Sequence, residues 1–331
     1  MVYYKNKGIR KTALVCGAGG FIGHHLVERL KQEFYYVIGV DLRYPEFTTT
    51  AADVFLIKDL RDPKEVRYIF NAYCIDEVYQ MAADLGGAGY IFSGDHDADI
   101  IHNSSLININ VAKYAARVKV GKLFFPSSCC VYPKLSEEDF NKLDYMEDST
   151  YPAQPDSEYG WEKLFSERLY QAYTRNYGLD VRIARFFSAY GPECAWKGGK
   201  EQAPAAMCRQ VAAAEDGGII NIWGNGKQTR SYTYIDDCID GIRLLMRNKQ
   251  SFEPIGIGTE EIVSINQLAA IVIKISEKKL TVKHIEGPVG KQKTNFDNRL
   301  VREKLDWTPD KPLIFGLQRT YKWIHEQVYA K

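Results

Sequence analysis

Short apolar runs alternate with stretches whose apolar residues recur at helical spacing through the first half of the chain. Residues 12–16, 37–40, 54–57, 77–80, 123–125 and 181–187 read as strands, the last of them closing the series. Residues 21–30, 64–71, 104–118 and 159–177 read as the helices between them. Strands that alternate with helices join in parallel, so the pattern predicts an α/β fold, a Rossmann-like doubly wound parallel sheet. The second half is less regular. It carries candidate helices at 204–215, 236–247, 265–276 and 313–327 with short strands between, as in a smaller α/β substrate-binding domain. The expected division places one domain at 1–187, with a return segment near 232–250, and a second at 188–331.

Composition acts mainly by exclusion. The chain has 331 residues, 45% hydrophobic and 26% charged, with a formal net charge of +1. This is an ordinary globular balance, with no basic surplus for a nucleic-acid partner. No apolar run approaches a membrane span, and residues 1–11 are polar and basic, without the apolar segment of a signal peptide. Seven cysteines in an odd set with no CxxC pair read as reduced thiols of a cytoplasmic protein. No His, Asp and Glu spacing predicts a metal site, and His24 and His25 read as packing residues of the first helix.

The candidate chemistry begins where the first strand ends. Gly17, Gly20 and Gly23 have the G-x-x-G-x-x-G spacing, with Phe21 and Ile22 opening the helix. Glycine lets the backbone turn sharply and approach a pyrophosphate held on the helix N-terminus. Asp41, 18 positions beyond Gly23, ends the second strand and is placed to bind ribose hydroxyls, which favours NAD over NADP. Asp59 ends the third strand and is a candidate for the adenine amino group.

Tyr159 and Lys163 are four apart and share one helix face. A phenol with a pKa of about 10 is a poor base at neutral pH. A neighbouring ammonium and the charge of NAD⁺ lower that value, so the phenolate can take a hydroxyl proton as hydride leaves to the nicotinamide. Ser128, at the end of the preceding strand, is placed to bridge the same oxygen. Tyr159 and Lys163 are also expected to touch the cofactor. Gly87 and Gly89, after the fourth strand, would let the backbone approach a sugar. Gln228 and Arg230 are candidates for nucleotide or phosphate contacts.

Gly17, Gly20, Gly23, Asp41, Ser128, Tyr159 and Lys163, with the segment 230–237, resemble the extended short-chain dehydrogenase/reductase family. The resemblance spans nearly the whole chain and implies a nucleotide-sugar substrate, a permanently held NAD and a homodimer formed through the helices at 104–118 and 159–177. Longer segments at 81–90, 127–133, 196–206 and 223–231 are similar to the GDP-mannose 3,5-epimerase branch of that family. In that branch, oxidation at C4 makes the C3–H and C5–H bonds acidic. A base removes a proton, an acid on the other face returns one, and C4 is reduced again. By motif position Cys130 is the base and Ser128 the partner of the C4 hydroxyl, while Cys129 packs.

The match departs on the substrate side. Gln202 stands where the branch has its acidic lysine, Gln210 where it has another lysine, and Ser188 where it has asparagine. The segment 291–295 lacks the arginine expected beside the diphosphate, with Lys291 or Lys293 as substitutes. Three readings stay open: Lys197, Lys200 or a water supplies the acid; only one centre inverts; or the reaction ends at C4 oxidation or uses another nucleotide sugar. An NAD-binding protein that has lost turnover at Gln202 is the alternative outside enzymes.

Overall fold

The computed structural model describes residues 10–133, 147–250, 253–287 and 297–330. Its first half runs β1 (Thr12–Cys16), α1 (Phe21–Gln32), β2 (Tyr36–Asp41), β3 (Val54–Ile57), α2 (Pro63–Ala72), β4 (Glu77–Gln80), α3 (Ala88–Ile91), α4 (Asp97–Val118), β5 (Lys122–Ser128), α5 (Glu158–Tyr177) and β6 (Val181–Phe186). Then follow β7 (Ala189–Tyr190), α6 (Ala203–Ala213), β8 (Ile219–Trp223), β9 (Thr229–Ser231), β10 (Thr233–Tyr234), α7 (Ile235–Arg247) and β11 (Ile255–Ile257). The chain closes with β12 (Ile262–Ser264), α8 (Ile265–Ser276), β13 (Thr281–Ile285), α9 (Arg299–Leu305) and α10 (Leu313–Tyr329).

Seven parallel strands form one sheet in the order β11-β6-β5-β4-β1-β2-β3. The doubly wound sheet expected from the sequence is therefore present. One expectation is corrected: 181–187 is not the final strand. β11 pairs beyond it through Ile255, Gly256 and Ile257, so the sheet draws an edge strand from well past the expected domain boundary. Its three residues are too short a run to announce themselves as a sheet strand. The helix expected at 104–118 starts earlier, at Asp97, because its first turn is polar and shows no helical stripe.

Strand alternation sorts side chains onto two faces. Ala13 and Val15 of β1 join the core that contains Leu26, Val37 and Ile242, whereas Leu14 and Cys16 join the one that contains Val66, Val111 and Phe125. Both faces of β1 are covered, and all five of its residues are buried, as a central parallel strand requires. Ser157 caps α5 by accepting from the Gly160 N–H at 3.2 Å, and Gly178 ends that helix in the left-handed region at φ +69°. Among the described residues no helix is long and apolar enough to cross a membrane. All seven cysteines are free thiols.

The return helix α7 is held by a buried cation. The Arg243 guanidinium lies 2.8 Å from Glu33 of the α1 C-cap and 3.3 Å from Glu77 of β4, and it donates to the Tyr35 hydroxyl at 3.0 Å and to Tyr79. A buried charge is stable only where it is paired and hydrogen-bonded, and here the partners come from three separate elements. Replacing Arg243 by Met removes the shared cation from two carboxylates. The expected loss is about 3 kcal/mol, measured by urea unfolding.

Candidate active site

The cofactor cradle is built from close backbone approaches. Gly17, at φ +76°, turns the chain out of β1, and a Cβ there would lie 2.7 Å from the Ala82 nitrogen just beyond β4. β1 and β4 are neighbours in the sheet although α1, β2, β3 and α2 separate them in the chain. The crevice of such a sheet opens at this switch in strand order. A Cβ on Gly23 would lie 2.0 Å from the Gly17 carbonyl, and one on Gly19 2.2 Å from the Arg43 carbonyl. Gly20 is the N-cap of α1, and no side chain caps that terminus, so the helix opens through Phe21 and Ile22 toward the crevice. Asp41 Oδ2 accepts the Gly19 N–H at 2.9 Å, and Oδ1 accepts that of Leu42 at 2.6 Å. Asp59 accepts from Arg61 at 2.7 Å, which holds its carboxyl below the usual range. A contact from Asp59 to adenine must share the carboxylate with that guanidinium.

The reactive groups converge at the end of β5. Ser128 accepts the Cys130 N–H at 3.2 Å and so caps the tight turn Cys129–Val131. Gly160 of α5 lies against that turn, and a Cβ there would be 2.4 Å from the Cys130 carbonyl. This contact sets the thiol-bearing turn beside Tyr159. Cys129 packs with Val131, Tyr132, Leu164 and Phe187. The Lys163 ammonium is 5.5 Å from the Tyr159 ring centre and 4.9 Å from that of Phe125. Burial pushes the Tyr159 phenol well up, negative charge at Cys130 and Glu162 adds to this, and a hydrogen bond with Ser128 opposes it. Burial draws Lys163 down, and Glu162 and Cys130 work to restore it.

The second segment approaches across the loop after β4. A Cβ on Gly87 would lie 2.1 Å from the Glu201 carbonyl, whereas Gly89 has its nearest neighbour at 3.8 Å, the Trp223 ring. Glycine at 87 thus accommodates the protein's own backbone, whereas the space beside Gly89 is open to the Trp223 ring. Lys200 lies 4.0 Å over the Tyr90 ring and 3.7 Å from Asp84, which also accepts from the Tyr90 hydroxyl at 2.9 Å and from Asn103 at 2.8 Å. Burial works against the Asp84 carboxylate, but these donors and Lys200 outweigh it and hold its pKa below the ordinary value. Lys197 lies instead over Trp196, at 4.7 Å.

Gln202 is the N-cap of α6, and its amide donates to the Gly86 carbonyl at 3.4 Å. Gln210 accepts the Asn221 N–H at 2.9 Å and ties α6 to β8. Gln228 is buried and donates to the Trp223 carbonyl at 3.3 Å, which closes the turn between β8 and β9. Arg230, on β9, is half-buried and donates to the Thr229 carbonyl at 2.8 Å. Ser188 holds φ +39°, backbone that asparagine also tolerates, and its carbonyl accepts the Thr233 N–H at 3.2 Å. The segment 291–295, with Lys291 and Lys293, lies outside the described residues.

A family model described as the NAD dependent epimerase/dehydratase family matches residues 13–258. The chain belongs to this family. It is 40% identical to GDP-mannose 3,5-epimerase of Arabidopsis thaliana over 317 residues, covering 95% of this chain and 82% of the plant protein. Among solved structures, UDP-glucuronic acid 4-epimerase from Bacillus cereus, in complex with UDP-glucuronic acid and NAD, superposes with a TM-score of 0.81 at 27% identity, covering 96% of this chain and 100% of that one. UDP-glucose 4-epimerase from Thermotoga maritima shares the fold with a TM-score of 0.84 at 24% identity, covering 96% and 99%.

NAD is therefore the cofactor of this NAD dependent epimerase/dehydratase. The cradle fits it: three glycines stand where a Cβ would collide with backbone, the α1 N-terminus is uncapped by side chains, and a carboxylate ends β2. Sequence reasoning missed Gly160, Glu162 and the pair His24–Glu193. The tilt of α5 against Cys130 makes Gly160 necessary, and no local pattern marks it. The His24 ring lies with Nδ1 3.0 Å from the Gly20 carbonyl and Nε2 2.7 Å from Glu193, so it latches α1 to the loop after β7. With His25 these side chains form a group of three possible metal ligands within 4.8 Å, although Glu193 is remote in the chain. Gly160→Ala is expected to cost about 1–3 kcal/mol through overpacking against the Cys130 carbonyl. Thermal unfolding should register that loss while chromatographic assay of bound NAD shows the cradle still loaded.

Proposed function

We propose that the protein is a nucleotide-sugar epimerase that acts on GDP-mannose, inverting C5, C3 or both. The observation that carries this reading is the placement of the Cys130 turn against Gly160, beside Tyr159 and Lys163. An epimerase that works at C4 alone has no use for a thiol there. The 40% identity with the Arabidopsis GDP-mannose 3,5-epimerase supports the same sugar and nucleotide.

Bound NAD supplies a reversible hydride acceptor at C4. Tyr159 takes the C4 hydroxyl proton and later returns it, and Ser128 holds the same oxygen. Lys163 stabilises the phenolate. Once C4 is a ketone, the neighbouring C–H bonds are acidic, and the Cys130 thiolate removes a proton from one of them. We assign the returning acid to Lys200. Gln202 has no acidic proton, and Lys200 is the ammonium that the 197–202 segment presents to the loop after β4, over Tyr90. Residues 1–187 with the return helix hold the cofactor, and 188–331 supply Gly89-facing loops, Ser188 and Arg230 for the sugar nucleotide.

The test is incubation with GDP-mannose in D₂O, read by NMR and mass spectrometry. Wild type is expected to place deuterium at C5 or C3. Cys130→Ala should lose that label by about a hundredfold or more, the scale of a lost general base, while still reducing bound NAD on adding sugar nucleotide. Lys200→Gln should keep exchange and lose inversion. NADH formation in wild type with no label anywhere would make the enzyme a C4 oxidoreductase instead.

A homodimer follows from the same reading. Ile101 and Ile109 of α4 and Trp161 and Phe165 of α5 are 37%, 37%, 43% and 47% exposed, an apolar face on two helices that pack together. We assign this face to a second copy across a two-fold axis. Phe165→Glu is expected to yield monomers by light scattering, with the fold retained by circular dichroism.

A further inference from the structure

We infer that Glu162 is a positioning residue for the hydride site: its buried carboxylate is the counter-ion that keeps Lys163 an ammonium beside Tyr159. The inference rests on Tyr159 and Lys163 acting as the proton-moving pair.

Lys163 and Glu162 are each 2% exposed, and their charged atoms lie 3.8 Å apart. A lysine so enclosed sheds its proton unless an anion shares the site. As a neutral amine, Lys163 could not stabilise a phenolate. A second acid, Glu167, also acts on it from α5. Glu167 is already taken: Arg185 of β6 donates to its two oxygens at 2.8 and 2.7 Å, and Ser127 donates at 2.6 Å. Glu162 is the carboxylate left to Lys163.

The carboxylate is held in place by neutral groups. Glu162 Oε1 accepts from Asn108 of α4 at 2.9 Å and from Ser166 at 2.7 Å. Asn108 is fixed in turn by Gln80 of β4, at 2.9 Å, and by the Tyr170 hydroxyl, at 3.0 Å. All five residues of this network are buried. Among the described residues nothing donates a hydrogen bond to Glu162 Oε2, and it is the oxygen that faces the ammonium. One oxygen is thus anchored and the other is reserved for charge. Among the described residues the titratable groups around the pair are Tyr159, Glu167 and Tyr170 on α5 and Cys129 and Cys130 after β5, with Cys16 of β1 and Tyr173 of α5 beyond Tyr170.

Two opposite effects make the inference testable. Directly, the Glu162 charge repels a phenolate on Tyr159. Indirectly, through Lys163, it favours one. If the indirect effect wins, Glu162→Gln deprives Lys163 of its proton at lower pH and makes Tyr159 harder to ionise. If Glu162 only repels, the same change makes Tyr159 easier to ionise.

The experiment is an ultraviolet phenolate titration of NAD-loaded protein, taken as the difference between each form and its Tyr159→Phe counterpart. It requires no sugar, so it decides the matter whether or not GDP-mannose is the substrate. In Glu162→Gln the Tyr159 ionisation is expected to rise by about one pH unit or more, and the alkaline limb of turnover to fall by a similar amount. Glu162→Asp should recover most of the shift. Ser166→Ala, which removes one anchor and leaves the charge, should move Tyr159 in the same direction by less, and it serves if the Gln variant does not fold. An unshifted or lowered Tyr159 ionisation, with loss of thermal stability alone, would overturn the inference.

Discussion

The contact between the turn at Gly17 and the start of the loop after β4 is the constraint on which the site depends. β1 and β4 are adjacent and parallel, so the chain must leave both at the same edge of the sheet within van der Waals distance. A side chain at 17 would push Ala82 aside and widen the crevice. The loop that begins at Ala82 carries Asp84, Gly87 and Tyr90, and through Gly87 it meets Glu201 of the second segment. One absent Cβ therefore aligns the cofactor cradle, and a second sets the loop after β4 against the second segment.

Around that frame, burial and charge oppose each other. The interior that excludes water from Tyr159 also pushes its phenol away from ionisation and draws Lys163 toward the neutral amine. Both tendencies run against proton transfer. Glu162, which works to keep Lys163 charged, is its neighbour on the same helix, where backbone geometry fixes the spacing, whereas Ser128, which eases the Tyr159 phenol down, comes from the end of β5. Cys130 comes from another element and is brought in by the backbone contact at Gly160. A thiolate there raises the cost of a phenolate at Tyr159, and the two groups act at different stages of the proposed reaction, at the hydroxyl first and at carbon afterwards.

The positions that depart from the epimerase pattern are also the ones with settled local bonds. Gln202 meets Gly86, Gln210 meets Asn221, and Ser188 accepts from Thr233. Amides in place of ammonium groups thus join the second segment to its surroundings. Lys200, displaced by two positions from Gln202, supplies the positive charge at the same edge, over Tyr90 and beside Asp84.

The chain by itself determined what depends on neighbours a few positions away. Strand and helix periods, the Gly17–Gly20–Gly23 spacing, Asp41 at a strand end and the shared face of Tyr159 and Lys163 are all local, and they led to the doubly wound fold and its cofactor. Tertiary structure decided what depends on how remote backbones meet. It placed β11 at the sheet edge, closed Gly87 on Glu201, turned Gln228 inward, set Gly160 against Cys130 and delivered Asn108 to Glu162. These are distances between elements tens of residues apart, and the spacing of residues along a chain carries no measure of how closely two packed backbones approach.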